Sequence, residues 1–420
     1  MRRALSLARR AEGQTRPNPP VGAVIVEDGA PLGEGWHHAA GLPHAEVNAF
    51  SSCPRKPSPS ATLYVTLEPC CTTGRTPPCT DLIIRSGIRR VVAACPDPNP
   101  KHAGRGFEIL RAAGIDVSVG PCRAEAEALI EPFVTRTLLG RPFFSLKLAM
   151  TLDGRIADRE GSSRWVTGER ARAWCQRLRR RCDAMMVGAG TVIADDPSLL
   201  CRLPGAPGTL FRVVIDGKCR IPPAAQVLTD SAASRTIVVT AIEPTARQLR
   251  ALTAHGARVW TLPAPAAAVA SPLAPAPSAE RPAASPLAPA PSAERPAASP
   301  LAPAPSAERH AASPLACKAF TALHDHPSID LPALSRLLAG EGFMHILCEG
   351  GGVLAGSLVR ANLVDEFLLF YAPKLLGDSA ARPGIDGLGL LMPDSLALET
   401  RSIRRIGGDL LVTARRAKGA

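Results

Sequence analysis

Short apolar runs rich in Val and Ile alternate with glycine-stopped helical stretches over residues 1–140, and the alternation restarts near residue 142. Few architectures are open to such a chain, because each strand has to be covered by helices. In the first stretch residues 2–12 are expected to be helical, and VGAVIVED (21–28) a strand ended by the turn Asp28-Gly29. Further helices are expected at 44–50, 79–87 and 104–114, the last two stopped by Gly87 and Gly114, with strands at 61–69, 89–95 and 115–120. This order predicts a three-layer αβα domain over 1–140. The second stretch, 141–420, is expected to open with a strand at 143–150, a Leu-Asp-Gly turn and another strand. A helix over 167–182 follows, with Thr167 as its N-cap, then strand, Gly-rich turn and short helix within 183–199. Strands are expected at 211–217 and 235–240, and strand, glycine loop, helix and strand across 343–377. With 46% hydrophobic residues the chain can bury a core. No run approaches the ~18 apolar residues of a membrane span. The opening MRRALSLARRAEGQ lacks an apolar stretch, so no secretory leader is expected.

One segment joins neither pattern. SPLAPAPSAERPAA occupies 271–284 and again 285–298, a third copy at 299–312 carries His310 in place of Pro, and a fourth stops after SPLA. One Leu per copy cannot build a core as solenoid units do. Fourteen of the 42 prolines fall in 263–316. The composition predicts a disordered or polyproline-like insert within the second domain, inert or a Pro-rich docking segment.

The first domain holds a metal-binding pattern. His44-Ala45-Glu46 opens a helix, Pro69-Cys70 follows a strand, and Cys79 opens the next helix. One imidazole and two thiolates give zinc three tetrahedral ligands and leave a fourth position for water. Zinc brings the pKa of such a water near neutrality. Glu46 is placed to shuttle protons without binding the metal, and the two helix N-termini favour thiolate. His-x-Glu alone is common, as are two cysteines nine apart. Their joint order is rare, and it matches the His-x-Glu…Pro-Cys signature of zinc deaminases, here with CTTGRTPP between Cys70 and Cys79. The remaining cysteines of the twelve are expected to be reduced, as in a cytoplasmic protein.

HAEVNAF, TLEPCCTTGRTPPC, RPNPPVGAVIV and DPNPKHAGRG together resemble the bifunctional deaminase–reductases of riboflavin biosynthesis. The resemblance covers residues 1 to about 416 except the repeat, and Gly-Arg-Thr-Pro-Pro-Cys (74–79) is its most specific segment. It implies a cytidine-deaminase-like αβα domain followed by a dihydrofolate-reductase-like domain. It also implies zinc on His44, Cys70 and Cys79, Glu46 as proton shuttle, and Asn18, Arg75, Asp97 and Asn99 against the pyrimidine or its ribose phosphate. Arg75 has independent sense as a fixed cation beside a phosphate. One departure stands out: the family usually has Ser or Asn and then His after the first zinc cysteine, where this chain has Cys71 and Thr72. Thr cannot be cationic, so weaker substrate binding is expected, with zinc retained and Cys71 a spectator.

In the second domain Gly350-Gly351-Gly352 follows a strand and opens a helix, where backbone N–H groups can approach a pyrophosphate. Gly350-x-Gly352-x-x-Ala355 fits the dinucleotide fingerprint. It comes late in its domain, unlike a Rossmann fingerprint. SLKLAMTLDGRIA, SRWVTG, VGAGTVIADDPSL, VVID, CEGGGVLAG and LVDEFLLFYAPKLLG resemble the reductase half of the same family. The resemblance implies NADPH against Ala149, Trp165, Thr191, Asp195 and the run Gly351, Gly352, Val353, Leu354, Ala355, Gly356 and Ser357. It places substrate against Ser163, Arg179, Leu199, Arg202 and Glu349. Asp195 is the candidate for handling a proton, and Gly217 stands where a Ser often touches the cofactor.

The net charge of +12 is concentrated: residues 141–262 hold 19 basic and 10 acidic side chains, including six Arg between 170 and 181. One or two of these are expected at a phosphate and the rest on a solvated face. The reading is thus a deaminase followed by an NADPH-dependent reductase acting on a phosphorylated pyrimidine, without nucleic-acid or membrane partners, as a single chain or a homo-oligomer. Its rivals are a nucleic-acid-editing deaminase, a scaffold using the Pro-rich repeat, and a family member with one activity impaired through Thr72 or Gly217. The single Trp174 in the Arg run argues against nucleic acid, which favours interleaved aromatics.

Overall fold

The computed structural model describes residues 1–74, 77–100, 102–206, 208–263 and 328–417. Arg75 and, apart from Pro263, the 263–316 insert lie outside the described residues.

The first αβα layer is built on five strands: β1 (Gly22–Glu27), β2 (Ala30–Trp36), β3 (Thr62–Val65), β4 (Arg90–Ala93) and β5 (Asp116–Val119), in the order β2-β1-β3-β4-β5. β1 runs antiparallel to β2 and β3, while β3, β4 and β5 are parallel. Strand alternation sorts the side chains. Ala23 and Ile25 face a core shared with α2 (Ala45–Ser51), α3 (Cys79–Ser86) and α4 (Arg105–Ala112). Val24 faces Ala4 and Leu7 of α1 (Arg2–Ala8), and α5 (Arg123–Leu139) packs Ala126, Leu129 and Ile130 beside Leu5 and Ala8. The strand expected over 61–69 stops at Val65, and its last residues form the approach to Cys70.

The second layer is a nine-stranded sheet. Its strands are β6 (Phe143–Thr151), β8 (Ala184–Gly188), β9 (Phe211–Ile215), β10 (Thr236–Thr240), β11 (Arg258–Thr261), β12 (His345–Cys348), β13 (Val364–Ala372), β15 (Leu398–Ile406) and β16 (Asp409–Arg416). The order is β11-β10-β9-β8-β12-β6-β13-β16-β15, parallel through β13 and closed by the antiparallel pair β16 and β15. Two short strands, β7 (Arg155–Ala157) and β14 (Arg382–Pro383), pair separately. One face carries α10 (Leu331–Gly340) and α11 (Gly352–Arg360). The other carries α6 (Glu169–Arg181), α7 (Ala189–Asp195), α8 (Gln226–Thr229) and α9 (Ala246–Thr253). The N-cap of α6 is Gly168 and not Thr167, whose carbonyl instead accepts from Arg172. β8 and β12 are central and parallel, so the loops into α7 and α11 open side by side at their C-terminal ends, where open α/β sheets bind ligands.

Candidate active sites

His44 is the N-cap of α2, in extended backbone, and Cys79 is the first residue of α3. Neither helix start is capped by a side chain, which leaves its first amides directed at the site. One is used: the Cys79 N–H donates to Cys70 Sγ at 3.3 Å. His44 Nδ1 stands 3.4 Å from Cys70 Sγ and 3.3 Å from Cys79 Sγ, and the three ligand atoms lie within 4.8 Å of one another. A tetrahedral zinc with bonds of about 2.0 Å to nitrogen and 2.3 Å to sulfur sets such ligands about 3.6 Å apart. The donor set and its spacing therefore fit zinc.

The protons of this cluster are unevenly held. The hydrogen bond from Cys79, helped by His44, draws the Cys70 thiol down to about 4, and the same bond pushes Cys79 up. Glu46 is 3% exposed. Burial, and next the Cys70 charge, push its carboxyl up to about 7, a range suited to giving and taking a proton near neutrality.

Of the expected substrate contacts, Asn18 reaches the cluster through a residue the sequence reading missed. His37 is buried, and its ring stands edge-on to that of His44 with centroids 5.3 Å apart. Its Nδ1 meets the Pro43 carbonyl at 3.1 Å and so carries the proton, leaving Nε2 to accept from Asn18 Nδ2 at 3.1 Å. A histidine just past β2 was its only signal. Asp97 and Asn99 share a loop, with Asp97 Oδ1 accepting the Asn99 N–H at 2.8 Å. Thr72 is exposed. Cys71 is directed at His102, 3.7 Å from Nδ1, and is not a member of the His44–Cys70–Cys79 cluster.

In the nine-stranded half, Arg179 and Glu349 form a fork-to-fork pair at 3.2 and 2.9 Å, each about one-tenth exposed. Burial pushes the Glu349 carboxyl up, but the charges of Arg179 and Lys147 outweigh it and hold it below the usual range. Arg179 also donates to the Leu200 carbonyl, beside the buried Leu199, and Gln176 accepts the Arg202 N–H at 2.8 Å. Arg179, Glu349, Leu199 and Arg202 are thereby gathered at one place. Gly351 is the N-cap of α11, again without a side-chain cap. A Cβ on Gly351 would stand 3.9 Å from Thr191 Oγ1, so the α7 and α11 loops meet. These open amides and small residues fit a pyrophosphate. Val353 is exposed and Ser357 turns back to the Val353 carbonyl. Ala149 pairs with Phe370 on neighbouring strands. Asp195 and Ser163 flank Arg164, whose guanidinium donates to the Asp195 carbonyl at 2.9 Å. Trp165 lies open, 62% exposed, under the Arg172 guanidinium at 4.5 Å and with its carbonyl held by Lys374.

Two family models match the chain. The cytidine and deoxycytidylate deaminase zinc-binding region matches residues 1–95. The RibD C-terminal domain matches 142–269 and 301–412, passing over the middle of the repeat. The riboflavin biosynthesis protein RibD of Bacillus amyloliquefaciens is 38% identical over 99% of this chain and 95% of its own length. The Escherichia coli (strain K12) protein of the same name is 36% identical over 98% and 96%. Among solved structures, Acinetobacter baumannii RibD gives a TM-score of 0.75 at 30% identity, covering 99% of this chain and 98% of that one. A diaminohydroxyphosphoribosylaminopyrimidine deaminase/5-amino-6-(5-phosphoribosylamino)uracil reductase from Thermotoga maritima gives 0.74 at 30% identity, covering 99% and 97%.

Proposed function

The chain belongs to the RibD family of riboflavin biosynthesis, bifunctional zinc-dependent deaminases and NADPH-dependent reductases of a pyrimidine, and from that premise we propose how its own residues divide the two reactions. Residues 1–140 carry deamination and 141–420 reduction, with 263–316 an insert that serves neither. The first substrate is the diaminohydroxyphosphoribosylaminopyrimidine, and the second is the deaminated phosphoribosylaminouracil.

Zinc, when bound, supplies a Lewis acid and a water that ionises near neutrality. His44, Cys70 and Cys79 hold it. Glu46 takes a proton from the attacking water at its carboxylate and returns one to the departing amine. Asn18, fixed by His37, and the Asp97–Asn99 loop orient the pyrimidine. Arg75, which lies outside the described residues, is assigned to the ribose phosphate by its place in the sequence. In the second half, the α11 N-terminus from Gly351 to Ser357, with Ala149, Trp165, Thr191 and Asp195, holds NADPH, the source of hydride. Arg179, Glu349, Ser163, Leu199 and Arg202 hold the ribosyl phosphate, and Asp195 is placed to handle the proton that accompanies reduction. Among the described residues Arg179 uses three of its five N–H donors in internal bonds, which leaves two for a ligand.

The meeting of His44 Nδ1 with two thiols beside a buried Glu46 carries this reading. Engagement of Arg172, Arg179 and Arg181 by internal partners supports small phosphorylated ligands over nucleic acid. The cysteines among the described residues are free thiols. Among those residues no helix is long and apolar enough to cross a membrane. The test is Glu46→Gln. Ammonia release should fall at least about 100-fold, while bound zinc and NADPH oxidation on the pre-deaminated substrate stay at wild-type levels. Equal loss of both activities would overturn the two-site assignment.

A further inference from the structure

Glu68 is a buried acid that no step above employs: it is 4% exposed, two residues before Cys70. Every hydrogen bond its carboxylate accepts among the described residues comes from the backbone of one stretch, the loop from Asp97 to Gly104 and the first turn of α4 that it leads into. Oε2 accepts the N–H of Asp97 at 3.0 Å and of Gly104 at 2.8 Å, and Oε1 accepts that of Gly106 at 2.8 Å. Gly104 is the N-cap of α4, with φ +90, and offers no side chain to cap the helix. Glu68 therefore caps α4 from outside, as a negative group at a helix start. The loop is also pressed against the metal-binding turn. A Cβ on Gly106 would fall 2.4 Å from the Pro69 carbonyl oxygen. Between its tethered ends the loop carries Asp97, Asn99 and His102, the last facing Cys71.

We propose that Glu68 is a positioning residue for the pyrimidine, tethering the 97–106 loop to the turn that carries Cys70 and so fixing Asp97 and Asn99 relative to the metal. A carboxylate suits this task because it is acceptor-only and can take three N–H groups at once. An amide of the same shape would turn an NH2 toward backbone donors and leave at least one of them unmet. The loop, not the ligand cluster, would then shift. The proposal rests on the reading of Asp97 and Asn99 as substrate contacts.

The experiment is steady-state kinetics of the full-length zinc enzyme carrying Glu68→Gln. KM for the diaminopyrimidine should rise at least about tenfold, with kcat changed less than about threefold, zinc stoichiometry intact and reductase turnover unaltered. Gly106→Ala keeps the Glu68 carboxylate but presses a Cβ on the Pro69 carbonyl oxygen and on Glu68 itself, at 2.4 and 3.1 Å, so it displaces the same loop and should give the same KM-dominated defect. It carries the test if Glu68→Gln does not fold. A KM within about twofold of wild type in both variants would overturn the proposal, as would loss of zinc in step with activity, which would make Glu68 a support of the metal site alone. Wild-type turnover and Asp97→Asn separate the two levels. If Asp97→Asn raises KM and the loop variants do not, only the tether fails; if Asp97→Asn has no effect, the underlying contact assignment fails.

Discussion

His345 is the most strongly perturbed imidazole among the described residues, and it lies away from both sites. Its Nε2 meets Ser145 Oγ at 2.9 Å, Ser145 donates to Glu366 at 3.0 Å, and Nδ1 faces Cys182 Sγ at 3.6 Å. Burial, and then the charge of Arg181, push its pKa down to about 3 from the ordinary 6.5. The sign follows from proton counting. Between about pH 3 and 6.5 the unfolded chain holds a proton on His345 that the folded chain refuses. The stability this neutral ring contributes is therefore complete above the unfolded value and is lost as pH falls through that window, at up to about 1.4 kcal/mol per pH unit. His345→Gln removes the titration. On going from pH 6.5 to 5 the wild type should lose roughly 1–2 kcal/mol more than the variant, read from urea midpoints. An equal loss in both would show that His345 is not the acid-sensitive group.

At the scale of elements, glycine decides where helices can lie. Gly356 sits in the middle of α11, and a Cβ there would fall 1.8 Å from the Asp386 carbonyl oxygen. Ala is the better helix former by about 0.8–1 kcal/mol, but this clash is with backbone, which cannot turn aside. Gly356→Ala should therefore destabilise by about 1–3 kcal/mol in a denaturant titration and raise KM for NADPH, since α11 must back away from the 383–387 segment. A stabilised variant would mean that the segment yields freely. The same physics explains what could be read from the sequence. β1, β4 and β6 were legible because their apolar runs record burial directly, and His44, Cys70 and Cys79 because a metal site asks for those residue types, two at helix starts and one on the turn after a strand. β2 was not legible. APLGEGW reads as a loop, yet Gly33 and Gly35 are there because Cβ atoms would fall 2.3 Å from the backbone of Ala49 in α2. α5 was missed for a related reason: it contains Pro132, and its neighbours include both the α1 layer and β6. His37 escaped because its role is set by Asn18 and Pro43, which only the fold brings to it.

At the scale of the molecule, the Arg run between 170 and 181 is mostly the solvated face expected of it, with Arg170, Arg177, Arg180 and Arg181 exposed, but one of its members also joins the two halves. Arg181 donates to Glu12 of the first layer at 2.8 Å while Arg179, two residues earlier, holds Glu349. Arg16 lies over the rings of Phe211 and Phe343 at 4.7 and 4.8 Å, and Arg415 pairs with Glu131 of α5. Of the charge concentrated in 141–262, Arg181 thus helps join the two halves, while Arg16 and Arg415 do so from outside that segment. The repeat lies outside the described residues, and the chain on either side of it bears on whether it is dispensable. Pro263 and Ile329 are bridged as antiparallel partners, so the chain leaves the nine-stranded half and returns to it at adjacent points. Ends so placed need only a short connection, because closure entropy grows slowly with loop length and shortening the loop does not strain what it joins. Replacing 266–325 by a few Gly and Ser residues should leave ammonia release and NADPH oxidation within about twofold of wild type. The thermal midpoint should hold or rise slightly, since a shorter loop costs less to close. Loss of either activity in a chain that still melts cooperatively would assign the repeat a role in catalysis, and loss of solubility alone would assign it one in keeping the protein dispersed.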